Sequence, residues 1–233
     1  RYPDKTMFVN LMKHSMAEFV NAITYPDHTV YPFCTENEKD FMNLTDVYLN
    51  AVFCPNVLTD KEIFEQEGWH FQCEDGKAPE INGVVYNEMK GVFSSLDSIL
   101  EDEMSKAMFP ETAYRFVSGG FPDTIPALSY EEFLEYYRTF YNASNCCIVL
   151  YGKMNTEQLF EYIDKVYLGK MKRSEPAKPV MLQKPVKGIR NKLYDKEKFG
   201  DQGVFASCTY SLGDFDNRER MNAVYILMQA IMG

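Results

Sequence analysis

Glu88 is the residue whose type and placement most invite chemistry. It follows Val85 by three positions and precedes Val92 by four, so on a helix it projects beside an apolar stripe. An ionised carboxylate beside apolar side chains is unfavourable unless a cation, a metal ion or a strong donor meets it. Spacing alone equally fits a carboxylate at the edge of the stripe that reaches solvent or pairs with a lysine. The histidines are His14, His28 and His70. His28 falls in a turn, His70 follows Trp69 in a short strand, and His14 lies on the surface of an early helix-like stretch. Each therefore has an ordinary structural reading. The run Glu101-Asp102-Glu103 reads as a solvated helix face. The cysteines, at 34, 54, 73, 146, 147 and 208, form no C-x-x-C pair. That argues against a zinc knuckle or a thioredoxin-like site and for reduced thiols in an intracellular compartment.

The elements that must position these groups are legible from pattern. Phe19 to Tyr25, the turn Pro26-Asp27-His28 and Thr29 to Phe33 form a hairpin signal. Thr35 with Glu38 reads as a capping box opening a helix that Pro55 ends. A turn of helix and a strand over His70 to Cys73 follow. After Asn82-Gly83 the spacing predicts one long helix with a stripe of Val85, Met89, Val92, Leu96 and Ile99, reaching Met104 and Met108 less regularly. Val117 to Leu128 is a loop in which Gly119 and Gly120 supply backbone freedom. Ser129 with Glu132 is a second capping box, for a helix to Tyr141. Cys146 to Tyr151 reads as a buried strand, Asn155 as the cap of a helix to about Leu168, Val204 to Ser211 as a strand and Asp214 to Met232 as a helix. Irregular alternation of strands and helices favours an α+β fold over a doubly wound sheet.

The chain has 233 residues and a formal charge of −10. Residues 165–198 carry 11 basic and 3 acidic side chains, a local +8, which leaves −18 on the rest. The acidic balance argues against a dedicated nucleic-acid or anionic-membrane binder. It suits attraction of cationic peptides, although a solvated basic linker beside an acidic body explains it as simply. No apolar run is long enough to span a bilayer. Residues 170–192 are rich in Lys and Pro and lack hydrophobic periodicity. We therefore expect a first domain over residues 1–170, a linker over 171–192 and the beginning of a second domain over 193–233. The opening Arg-Tyr-Pro-Asp-Lys is neither an initiator Met nor a signal peptide, and the chain reads as a piece of something longer.

Gly83-Val84-Val85-Tyr86-Asn87-Glu88-Met89-Lys90-Gly91 resembles the distal metal-ligand segment of the presequence proteases. These belong to the pitrilysin/insulinase zinc metallopeptidases, the inverzincins. Further stretches match in order: Asn21 to Asp27, Asp46 to Leu49, Gln66 to His70, Phe109 to Tyr114, Ser118-Gly119-Gly120 with Ile125-Pro126, and Tyr141 to Asn145. Together they cover roughly residues 2–155.

The resemblance implies a two-layer α/β sandwich with a mainly antiparallel sheet and helices on one face. It implies that Glu88 is a zinc ligand and that zinc-activated water is the nucleophile of a metalloendopeptidase. In such enzymes two halves enclose peptides and unfolded segments in a chamber. It implies further that Asn21, Ala22 and Ile23 lie on an edge strand that binds extended peptides by β-augmentation. The family's H-x-x-E-H motif, with its general-base Glu, does not occur in this sequence. It is expected about ten residues upstream of the segment resembling Arg1-Tyr2-Pro3. This chain alone is therefore expected to be inactive, with no catalytic residue of its own. Glu80 does not fall seven residues before Glu88, so the supporting acid of some relatives is not evident. The expected partners are peptide substrates and the remaining domains of the parent, not nucleic acid or membrane. The expected compartment is a bacterial cytoplasm, with an organelle matrix as the other option. The rival reading is a non-catalytic family member serving as a structural or peptide-binding subunit.

Overall fold

The computed structural model describes residues 15–212 and 216–232. His14, Asp214 and the Arg1-Tyr2-Pro3 segment lie outside the described residues. Within these limits the fold is α+β, with short antiparallel strand pairs among helices. The expected hairpin forms as two ladders in one register. β1 (Phe19–Val20) pairs with β4 (Phe33–Cys34), and β2 (Ile23–Thr24) with β3 (Thr29–Val30). Pro32 lies between β3 and β4 and has no N–H to donate, which explains the split.

Helix α1 (Glu38–Phe53) follows. Its cap is Asn37, not Thr35: the Asn37 side chain accepts from the Asp40 N–H at 3.0 Å. Thr35 is engaged in the turn before it, its hydroxyl accepting from the Asn37 N–H. The proposed Thr35 capping box is thus displaced by a better-placed Asn. Helix α2 (Lys61–Glu67) leads into β5 (His70–Gln72), which pairs with β6 (Glu80–Asn82), a strand the pattern did not reveal.

The expected long helix after Gly83 is two. Helix α3 (Val84–Val92) stops, and α4 (Leu96–Met108) restarts behind Ser95, whose hydroxyl accepts from the Asp97 N–H. Ser94 meanwhile donates to the Gly91 carbonyl at 2.7 Å. A serine pair that bonds its own backbone ends one helix and caps the next. The break turns Phe93 inward, where it joins Met89 and Ile125 in a buried cluster beneath Trp69, Tyr86, Ile99, Val117 and Phe121.

Ser129 and Glu132 form the expected reciprocal box at the start of α5 (Tyr130–Phe140), and Asn155 caps α6 (Thr156–Val166). Leu44, Val47 and Tyr48 of α1 and Leu159 and Ile163 of α6 are buried. Tyr167 Oη donates to the backbone oxygen of Asp46 at 2.8 Å, and Tyr162 Oη donates to its carboxylate, so the end of α6 is tied to α1.

The expected strands Cys146–Tyr151 and Val204–Ser211 are not strands. Backbone at Cys146 is extended, but among the described residues neither segment enters a ladder. Extended conformation becomes sheet only where a neighbour satisfies its peptide groups.

The chain divides into one unit ending at Leu182 and another from Gln183. In the first, Ser174 and Ala177 bond to Ser144 and Asn145 through their N–H groups. The second contains α7 (Lys196–Phe199) and α8 (Arg218–Met232). There Tyr194 Oη donates to the Gly203 carbonyl and accepts from the Gln202 N–H.

Candidate functional site

Helix α3 carries Glu88, and the sequence around it fixes where that helix begins. Gly83 precedes it with φ +153°, a conformation open to glycine. A Cβ there would lie 2.3 Å from the Gly68 carbonyl oxygen and 2.7 Å from Trp69 Cα, so backbone passes against backbone. Asn82 Oδ1 accepts from the Gly83 N–H at 2.8 Å and from the Asn87 side chain, while its amide donates to Gln72. Tyr86 N–H reaches the Gly68 carbonyl. The Asn82-Gly83 pair thus clamps the first turn of α3 to β5 and the end of α2.

The inner side of α3 is held by Met89. Gly119 makes room for it, since a Cβ at Gly119 would stand 2.2 Å from the Met89 sulfur. Gly120, with φ +86°, supplies the expected turn freedom. Close approach of Met89 is the reason for the first glycine of the pair.

The outer side of α3 is unusual. Val84 and Val92 lie four residues before and after Glu88, and Val85 beside them; these valines are 53%, 42% and 37% exposed. Glu88 is exposed in the middle of this apolar face. Within α3 the expected inward stripe is therefore reduced to Met89, and the valines point outward with the carboxylate.

No group of three His, Cys, Asp or Glu is close enough to hold a metal ion among the described residues. Glu88 is one carboxylate, and the described residues do not by themselves fit a zinc site. His28 lies against Asp27, with Nδ1 2.6 Å from its carboxylate, and stacks on Tyr25. His70 Nδ1 sits 2.9 Å from the Glu65 carbonyl. Both are engaged in local structure. Asp102 departs from the expected solvated acidic face: it is buried and pairs with Lys106 at 2.6 Å. All the cysteines are exposed free thiols.

The hairpin strand carrying Asn21, Ala22 and Ile23 has a definite polarity. Asn21 N–H donates to the Pro32 carbonyl at 3.0 Å and Tyr25 N–H to the His28 carbonyl at 2.8 Å. With Ile23 opposite Val30, the odd-numbered residues aim their peptide groups at the partner strand. Antiparallel alternation then turns those of Val20, Ala22 and Thr24 outward. Proline at 32 leaves the Asn21 carbonyl without its ladder donor, and Tyr48 Oη from α1 supplies one at 3.2 Å. Ala22 is thus the residue of the three with outward peptide groups, flanked by two whose main chain serves the hairpin. Periodicity did not reveal the roles of Pro32 and Tyr48; the proline inside a strand signal was the available clue.

Comparison with known proteins gives the family of the chain. The family model for the Peptidase M16 inactive domain matches residues 127–233. The protein HypA of Clostridium perfringens is 42% identical over 97% of this chain and 24% of its own length. Presequence protease 1, chloroplastic/mitochondrial, of Arabidopsis thaliana is 47% identical over 70% of this chain and 16% of its own length. The mitochondrial presequence protease of Drosophila melanogaster is 41% identical over 72% of this chain and 16% of its own length. The chain belongs to the M16, or pitrilysin, peptidase family. It spans a quarter or less of the length of these relatives, which include bacterial and organelle proteins. No helix among the described residues is long and apolar enough to cross a membrane.

Proposed function

We propose that this chain is part of a zinc metalloendopeptidase that hydrolyses peptides and unfolded segments within a closed chamber. Glu88 supplies one metal ligand, and the remaining ligands and the general base come from residues beyond this chain. The observation that carries this reading is the outer face of α3. A carboxylate set among exposed valines, on a helix locked at its first turn by Asn82 and Gly83, suits a surface that another part of the same protein covers. An apolar surround strengthens a carboxylate's attraction to a cation. Asn21, Ala22 and Ile23 form the edge that pairs with an extended peptide. Residues 1–170 constitute the metallopeptidase-like domain, 171–192 a linker and 193–233 the start of a second domain. The partners are peptides and the remaining domains of the parent, in a bacterial cytoplasm.

The test is metal content of the full-length protein. Glu88→Gln, which keeps the shape and removes the charge, is expected to lose most bound zinc and peptidase activity. Full zinc retention in Glu88→Gln would remove the ligand assignment. The match to an inactive-type family domain over residues 127–233 favours a second reading, a non-catalytic peptide-binding or structural subunit. Purified full-length protein with neither zinc nor peptidase activity, yet able to bind peptides, would select it.

A further inference from the structure

The side chain of Asn21 does something that the hairpin does not need. Its Oδ1 accepts from the N–H of the next residue, Ala22, at 2.8 Å. That N–H is on the outward side of the strand, away from β3 and β4, and both Asn21 and Ala22 are exposed. The main chain of Asn21 is meanwhile held on the inner side by Pro32 and Tyr48. The side chain therefore folds back from a fixed backbone onto the donor that an incoming strand would use.

We infer that Asn21 is a displaceable cap on the peptide-binding edge. In the free protein its amide oxygen occupies the Ala22 N–H. An arriving peptide carbonyl replaces it, and the Asn21 side chain swings away. The inference rests on the proposed edge-strand role and adds a positioning residue to it. An exposed edge presents unpaired groups to any other chain, and blunting it is a common need. A cap from the adjacent side chain suppresses pairing by weak encounters while leaving the edge available to peptides that offer a full set of backbone bonds. Tyr48 and Pro32 complete the device. A proline at 32 prevents the ordinary ladder bond to the Asn21 carbonyl, and the tyrosine hydroxyl restores the anchor about which the side chain turns.

The experiment measures binding of a fluorescein-labelled nonapeptide of alternating Thr and Val to the full-length protein by anisotropy. A matched peptide N-methylated at every residue, which has no backbone N–H on either edge, serves as control. If the cap is real, Asn21→Ala binds the plain peptide about fivefold more tightly, the worth of one ordinary competing hydrogen bond. Asn21→Asp, which keeps the acceptor, binds as wild type or more weakly. Equal or weaker binding by Asn21→Ala, while the N-methylated peptide still fails to bind, overturns the cap and leaves the edge role standing. If both peptides bind the wild type equally, or neither binds, the edge role fails and the cap with it. Thermal melts of the variants, with midpoints at the wild-type value, confirm that a change in binding is not a change in folding.

Discussion

At the tip of the first hairpin, Asp27 accepts a hydrogen bond from Tyr114 Oη, 87 residues away in sequence, and faces His28 Nδ1. The Tyr114 bond foremost, and the His28 bond after it, hold the Asp27 carboxyl below its ordinary value of 3.8. The same bond raises the Tyr114 hydroxyl above its ordinary value. A folded-state carboxyl that is more acidic than the unfolded one contributes stability above the unfolded value. That contribution fades as pH falls through the folded value. Tyr114→Phe is therefore expected to lower the thermal midpoint at neutral pH, with the gap from wild type closing as pH drops below about 4. Melting curves from pH 7 to pH 2.5 check this; a constant gap would show that the bond is not coupled to ionisation. The pairing was not legible in the sequence, because nothing in local spacing indicates that residue 114 returns to residue 27.

Among the elements, α3 is the one whose boundaries matter most. Gly83→Ala places a Cβ inside the contact radius of the Gly68 carbonyl and demands a conformation that L-residues rarely adopt. Destabilisation of about 3 kcal/mol is expected from strain and overpacking together, read by urea denaturation. Were the loss below about 0.5 kcal/mol, ordinary for a surface substitution, the close approach of α3 to Gly68 would be refuted. The break between α3 and α4 was hidden because the apolar spacing of Val85, Met89, Val92, Leu96 and Ile99 runs through it. Gly91, Ser94 and Ser95 were the contrary signal, and local capping prevailed over periodicity. The reverse happened at Cys146–Tyr151 and Val204–Ser211. There β-rich composition suggested strands, but a strand also requires a partner, which composition does not specify.

For the molecule as a whole, charge and regularity change together along the chain. Residues 171–195 contain no regular element, and the surrounding 165–198 segment carries the local +8. Limited trypsinolysis is expected to cut first after Lys187, Arg190 or Lys192, since Lys178 and Lys184 precede prolines and Lys172 and Arg173 adjoin the segment that Ser174 and Ala177 bond to Ser144 and Asn145. Mass spectrometry of the first fragments checks this, and an initial cut inside α1 or α4 would contradict the proposed linker. Sequence by itself determined the family, the α+β class, the first hairpin, the Ser129 and Asn155 caps and the candidacy of Glu88, because each is written in local residue type or in an ordered set of short motifs. Only the tertiary structure decided that Met89 takes the inner face of α3 and leaves Glu88 among exposed valines, that Asp102 is buried, and that Tyr48 replaces the donor missing at Pro32. Each of these depends on which distant backbone or side chain arrives at a given point, and that is set by packing across the chain rather than by spacing along it.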